Sequence, residues 1–359
     1  MTKEQEYYEE IERRVREVYE QAYEEVSEKC SRYFERFQAQ DVVMRRRLEA
    51  KEITAEEYAT WRRNKMLIGD RWNAVRDSMA QTLVNADNVA RSIITGYIPE
   101  AYAYGMNLAA YQIDQLVGLS SFSIYNAQAV EELIRDFPSL LPQLNPESET
   151  ARAIREGRAM AWNQQHITSA ITQGIIQGEA LPSVAARLQN VVGMDERAAQ
   201  RNARTAMTAA RNAGHLASYQ RAERMGIQLD EMWLAIPDER TRHSHRLMNG
   251  VRVPVGEPFV LEDGVRLRFP ADPNGTSSDV NVNVGSYIYN CRCRIIGVPR
   301  GMPLDMNDIQ PEHIGNMTYE EWLNDRTGGR SNGRSNSQSR RRQSRRNTQS
   351  QRRTDTRSS

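Results

Sequence analysis

Apolar or small side chains at Tyr8, Ile11, Val15, Val18, Ala22, Val26, Cys30, Tyr33 and Phe37 follow one another at intervals of three and four residues. That spacing draws one stripe down a helix, because residues three and four apart share a face. Held from Tyr8 to Phe37, it commits the front of the chain to a long helix whose stripe must be covered. Glu and Arg fill the other faces. A second helix is announced by Thr54, Ala55, Glu56 and Glu57, where the Thr54 hydroxyl can cap the first turn and Glu57 can reach back. It is expected to run past Trp61 and, with a break near Gly69, on towards Ala90. The stretch from Ile98 to Gly118 is apolar and rich in small residues.

Pro138, Pro142 and Pro146 cannot sit inside helices. They set a helical N-terminal region, 1–137, apart from the rest of the chain and place a linker at 138–149. The helical pattern resumes at Thr150 with Ile154, Met160, Trp162, Ile167, Ile171 and Ile175. It is interrupted at Gly178–Pro182 and continues through Val184, Leu188 and Val192 to about residue 228. The composition then changes. Met232–Ile236, Val251–Val255, Phe259–Leu261, Val265–Phe269 and Arg294–Val298 are short β-prone runs punctuated by Asn249-Gly250, Asp263-Gly264 and Asn274-Gly275. A last capped helical turn covers Thr318–Leu323, with Trp322 as its apolar anchor. The expected fold class is therefore α+β: a mainly helical first two-thirds, with 150–228 as its second helical segment, then a small β-rich module over 229–325.

The 359 residues suit about two domains. Lys and Arg number 48 and Asp and Glu 47, so the net charge is +1. Its distribution is uneven. Residues 326–359 hold eleven Arg and one Asp, a net +10, which leaves −9 on residues 1–325. This Arg/Ser-rich tail has too little apolar surface to fold and is expected to be disordered. Its Arg340, Arg341, Arg342, Arg345, Arg346, Arg352 and Arg353 present guanidinium forks suited to phosphates without base recognition. No aromatics interleave with them, so the expectation is salt-sensitive backbone contact with double-stranded DNA rather than stacking on single strands. No apolar run reaches the roughly 20 residues of a membrane span, and the acidic Met1–Glu10 segment lacks a signal-peptide core. The expectation is a cytoplasmic start and no membrane partner. Three Cys, two of them at 291 and 293, do not make a secreted disulfide framework.

Two clusters bear chemistry. Asp238, Arg240, Thr241, Arg242, His243 and His245 form one, and Asn290, Cys291, Arg292, Cys293 and Arg294 the other. His243, His245, Cys291 and Cys293 are the right types for tetrahedral zinc. If Cys-x-Cys lies on a strand, both thiols face one side and Arg292 the other, a geometry that holds a metal or buries two small hydrophobes. Asp238 and an Arg fork can equally brace a loop. An enzyme would use His245 as general base, yet no nucleophile elbow, Walker loop or dinucleotide fingerprint is present.

The order of motifs adds a further signal. Gly174, Ile175, Gly178 and Ser183 are followed by Ala203, Arg204, Thr205, Ala210 and Asn212. Then come Trp233, Asp238, Arg240, Thr241, Arg242, His245 and Gly250; next Phe259, Gly264, Pro270, Asp272 and Pro273; last Asn290, Cys291, Arg292 and Cys293. In this order residues 167–325 resemble the phage head-morphogenesis, or minor head protein, family related to the F protein of bacteriophage Mu. Ala206 stands where many members have an acidic residue, and Ile288 and Tyr289 where many have a histidine. The resemblance implies a structural component of a tailed-phage procapsid, present in the virion head and assembled in the host bacterial cytoplasm. It further implies partners among the portal, major capsid and scaffolding proteins, a role in head assembly, DNA packaging or ejection, and no catalytic activity or required cofactor. Two other readings stand beside it: a zinc-dependent nuclease or hydrolase built on His243, His245, Cys291 and Cys293, and a toxin-related module. In the structural reading, Arg204, Thr205 and Asn212 pin the last long helix to the β module, and Asp238, Arg240, Arg242 and His245 brace that module, which is built around Trp233, Asp238, His245, Cys291 and Cys293.

Overall fold

A computed structural model describes residues 3–118, 123–136, 147–303 and 311–327. The three linker prolines and the arginines expected to meet DNA lie outside the described residues.

The N-terminal stripe forms α1 (Lys3–Glu35), in which Ile11, Val15, Tyr19, Ala22, Val26, Cys30 and Tyr33 are buried. The chain turns back through α2 (Gln38–Glu49) and α3 (Ala55–Met66). The expected cap is present: the Glu57 amide donates to Thr54 Oγ1 at 3.1 Å and the Thr54 amide to Glu57 Oε2 at 2.8 Å. Gly69, at φ 103°, supplies the left-handed break before α4.

Helix α4 (Asp70–Val117) is 48 residues long, roughly 70 Å, and does not stop near Ala90. Pro99 lies inside it, despite the hydrogen bond that proline removes. Burial explains the persistence. Every residue from Ala101 to Ile113 is buried, so this part of α4 is surrounded on all sides and its packing outweighs one missing bond.

After α5 (Ala127–Asp136), helix α6 (Glu149–Ile176) begins one residue earlier than Thr150, because Ser148 Oγ accepts the Ala151 amide at 3.2 Å and sets the start. A short α7 (Leu181–Ala186) leads into α8 (Leu188–Arg224), which crosses α4 at close range. Two glycines make that crossing: a Cβ on Gly105 would stand 2.1 Å from the Arg211 carbonyl oxygen, and one on Gly214 2.3 Å from that of Tyr102. Helices α1, α4, α6, α7 and α8 together enclose the larger core.

The β module comes next. Its main sheet has β1 (Leu229–Leu234) between β2 (Arg252–Pro254) and β6 (Arg294–Pro299), all antiparallel, with Trp233 opposite Ile295. Helix α9 (His243–Leu247) lies between β1 and β2. A second small sheet joins β3 (Phe259–Val260), β4 (Val265–Leu267) and β5 (Thr276–Ser277), and α10 (Gly285–Ile288) precedes the Cys-x-Cys segment. Trp233, Phe259, Val265, Leu267, Cys291 and Cys293 form a second core with Tyr111 of α4 and Tyr219 of α8. Both long helices therefore serve both cores.

A hairpin of β7 (His313–Ile314) and β8 (Met317–Thr318) leads to α11 (Tyr319–Thr327). This helix outruns the expected single turn and takes in Arg326, counted in sequence as tail. Trp322 Nε1 donates to Asp114 at 2.6 Å and Arg326 pairs with the same carboxylate at 2.9 Å, which docks the helix on α4. No described helix is long and apolar enough to cross a membrane.

Candidate functional site

The meeting of α8 with the segment 290–295 is built by polar side chains at helical spacing. Thr205 Oγ1 accepts the Asn290 amide at 2.8 Å, and Thr208 Oγ1 donates to the Cys291 carbonyl at 3.0 Å. The Cys293 carbonyl accepts from Arg211 at 3.2 Å and from Asn212 Nδ2 at 3.1 Å. Asn212 also donates to the Pro270 carbonyl at 2.9 Å and accepts the Ile295 amide at 3.3 Å. One turn on, His215 Nδ1 donates to the Ile295 carbonyl at 3.0 Å. Burial pulls its pKa down to about 3, so that ring stays neutral. Asn290 adopts φ 56°, the left-handed conformation that Asn tolerates, and turns the chain into this seam.

A second brace closes on the same segment. Arg292 holds Asp238 with two parallel bonds of 2.6 Å, and Thr241 Oγ1 donates to the Ile236 carbonyl at 2.6 Å and to Asp238 at 3.1 Å. The Arg292 guanidinium, with Thr241, holds the Asp238 carboxyl well below the usual carboxylate range. Arg242 donates to the Tyr289 carbonyl. Arg240 is exposed and 3.6 Å from Asp238. Gly250, at φ 82°, donates its amide to the Trp233 carbonyl at 2.8 Å and returns the chain to the sheet.

Between the two braces lie His245, Cys291 and Cys293, all buried. His245 Nδ1 stands 3.6 Å from Cys291 Sγ and 3.5 Å from Cys293 Sγ, and the three atoms lie within 4.8 Å of one another. The rings of Trp233 and His245 meet T-shaped at 5.2 Å, and those of Trp233 and Phe259 at 5.3 Å. The thiolate form is favoured at Cys293, first by the Cys291 thiol that donates to it and then by His245. A cavity of about 290 Å³ adjoins the cluster, with Tyr8, Glu12, Arg204, Arg211, Cys291 and Arg292 in its wall.

Two expectations change in position, those for His243 and Arg204. His243 is exposed, with Nε2 3.9 Å from Glu262, so the four-ligand set reduces to His245, Cys291 and Cys293. The hydrolase reading that drew on all four loses one of its ligands. The Cys pair directly precedes β6, which begins at Arg294 where the β-prone run was expected; the thiols share a buried side because the backbone is pinned at both carbonyls. Arg204 does not reach the β module but pairs with Glu12 of α1. Thr208, Arg211 and His215 belong to no motif legible in the sequence, although they continue the three-and-four spacing of Thr205 and Asn212 among alanines.

Comparison with known proteins gives three findings. Residues 165–296 match the family model described as Phage Mu protein F like protein. The chain is 26% identical to minor head protein GP7 of Bacillus phage SPP1 over 249 residues, covering 68% of this chain and 70% of that protein. It is 27% identical to NAD(+)–arginine ADP-ribosyltransferase EFV of Enterococcus faecalis over 164 residues, 45% of this chain but only 32% of the transferase. No solved structure matches.

Proposed function

We propose that this chain, a member of the Mu F-like minor head protein family, is a structural component of a phage head that acts in head morphogenesis. The observation that carries the reading is the extent of the match to the SPP1 minor head protein. It covers 68% of the chain and therefore reaches beyond residues 165–296 into the helical part. The match to the transferase spans about a third of that protein, which fits a shared module and carries no transferase activity to this chain. The site supports a structural role as well: Asp238, Thr241, Arg292, Thr205 and Asn212 are spent on one another and on backbone groups.

The finer reading assigns each part a task. The long helices present charged outer faces to the portal, major capsid or scaffolding protein during assembly in the host bacterial cytoplasm. The arginine-rich segment after residue 327 contacts packaged double-stranded DNA without sequence preference and assists packaging or ejection.

Removal of residues 328–359 tests the DNA part. With the seven arginines of 340–353 on phosphates, the full chain should bind duplex DNA with a log–log salt slope of about −6, and the shortened chain should lose that slope. Equal affinity and equal slope in the two would contradict it.

A further inference from the structure

The cluster between the two braces has a geometry of its own. A zinc ion bound to sulfur at about 2.3 Å and to imidazole nitrogen at about 2.05 Å, with a tetrahedral angle between them, sets the sulfur and nitrogen about 3.6 Å apart. The observed separations from His245 Nδ1 are 3.6 Å to Cys291 Sγ and 3.5 Å to Cys293 Sγ. Three buried soft or borderline donors thus stand along two edges of the tetrahedron such a cation requires. We propose that His245 Nδ1, Cys291 Sγ and Cys293 Sγ form a three-ligand site for a divalent cation of the zinc class.

The chemistry and the surroundings fit this assignment. Two thiolates and a neutral imidazole balance a divalent charge, so the filled site is neutral where charge is costly. Thiolate donors select zinc over magnesium or calcium. The ligands are held before any cation arrives: Thr208 fixes the Cys291 carbonyl, Arg211 and Asn212 fix that of Cys293, and Trp233 flanks the His245 ring. On binding, the protons shared among the two sulfurs and His245 Nδ1 leave to solvent, the neutral imidazole keeps its one proton on Nε2, and the sulfur and Nδ1 lone pairs form the metal bonds. No fourth His, Cys, Asp or Glu joins the group among the described residues. Cys291 belongs to the wall of the 290 Å³ cavity, so a water or small anion from that side completes the coordination. The site stands independently of how the chain behaves in a head.

The full-length reduced chain, freed of metal and then given Zn²⁺ or Co²⁺ under competition from a chromophoric chelator, tests the proposal. One metal per chain is expected, and the Co²⁺ form should show a thiolate-to-metal charge-transfer band with the strong visible absorption of a tetrahedral centre. His245→Ala, Cys291→Ser and Cys293→Ser should each weaken retention at least about tenfold, whereas His243→Ala should leave it unchanged. A wild-type chain that holds no metal, or whose Co²⁺ spectrum lacks the thiolate band, overturns the proposal whether or not the variants fold. So does undiminished retention in Cys293→Ser.

Discussion

Asn212 is fully buried, and its side-chain amide serves three backbone groups on two segments, at Pro270, Cys293 and Ile295. Asn212→Ala leaves those groups without their partner away from water and should cost about 2 kcal/mol in urea unfolding; a loss below about 0.5 kcal/mol would show that the seam holds without it. Glu231 makes a different prediction. Burial pushes its pKa up to about 8 from an ordinary 4.5, although its carboxylate accepts the Gly256 amide at 2.8 Å. Between those two values the folded chain keeps a proton that the unfolded chain gives up, so this group's contribution is complete below pH 4.5 and is lost as pH rises towards 8. Glu231→Gln should therefore gain stability relative to wild type from pH 5 to pH 8, and parallel stability curves would contradict this. Of these residues the sequence marked Asn212, because it belongs to a recognisable motif. Glu231 and His215 carried no such mark, since burial of a polar group depends on which helix or strand comes to lie over it.

At the scale of elements, the crossing of α4 and α8 organises both cores, and it depends on the absence of two side chains. Gly214→Ala would drive a methyl to 2.3 Å from the Tyr102 carbonyl, so the helices must part. The expected outcome is a loss of about 3 kcal/mol, read from the thermal midpoint, with Gly157→Ala as a control that keeps or gains up to about 1 kcal/mol, because it lies inside α6 and nothing lies within 4 Å of it. Equal stability of the two variants would show that the crossing is not tight. Helix α1, the capping box at Thr54, the Gly69 break and the β-prone runs were all legible, because local spacing and turn chemistry decide them. The continuity of α4 through Pro99 was not, since it is tertiary burial that overrides the local cost of proline. Nor were the contacts that fix the Cys pair just ahead of β6, since they come from α8, far away in sequence.

For the whole molecule, α4 and α8 tie the β module to the helical body, and α11 closes back on α4 through Asp114. Thr205, Asn212, Asp238, His245, Cys291 and Arg292 lie where the β module and α8 meet, while Gly174 and Ile175 lie in the helical body, which is why an order of weak signals along the chain is more informative than any one of them. The family reading makes the chain part of a particle, and a particle can be weighed for its contents. The most direct test is mass spectrometry of mature phage heads purified from cells that produce phage particles and express this chain. Peptides from residues 165–296 should co-purify with the portal and major capsid proteins at a fixed, low stoichiometry through a density gradient. Mature heads complete in portal and capsid protein but devoid of this chain would contradict its assignment as a head component.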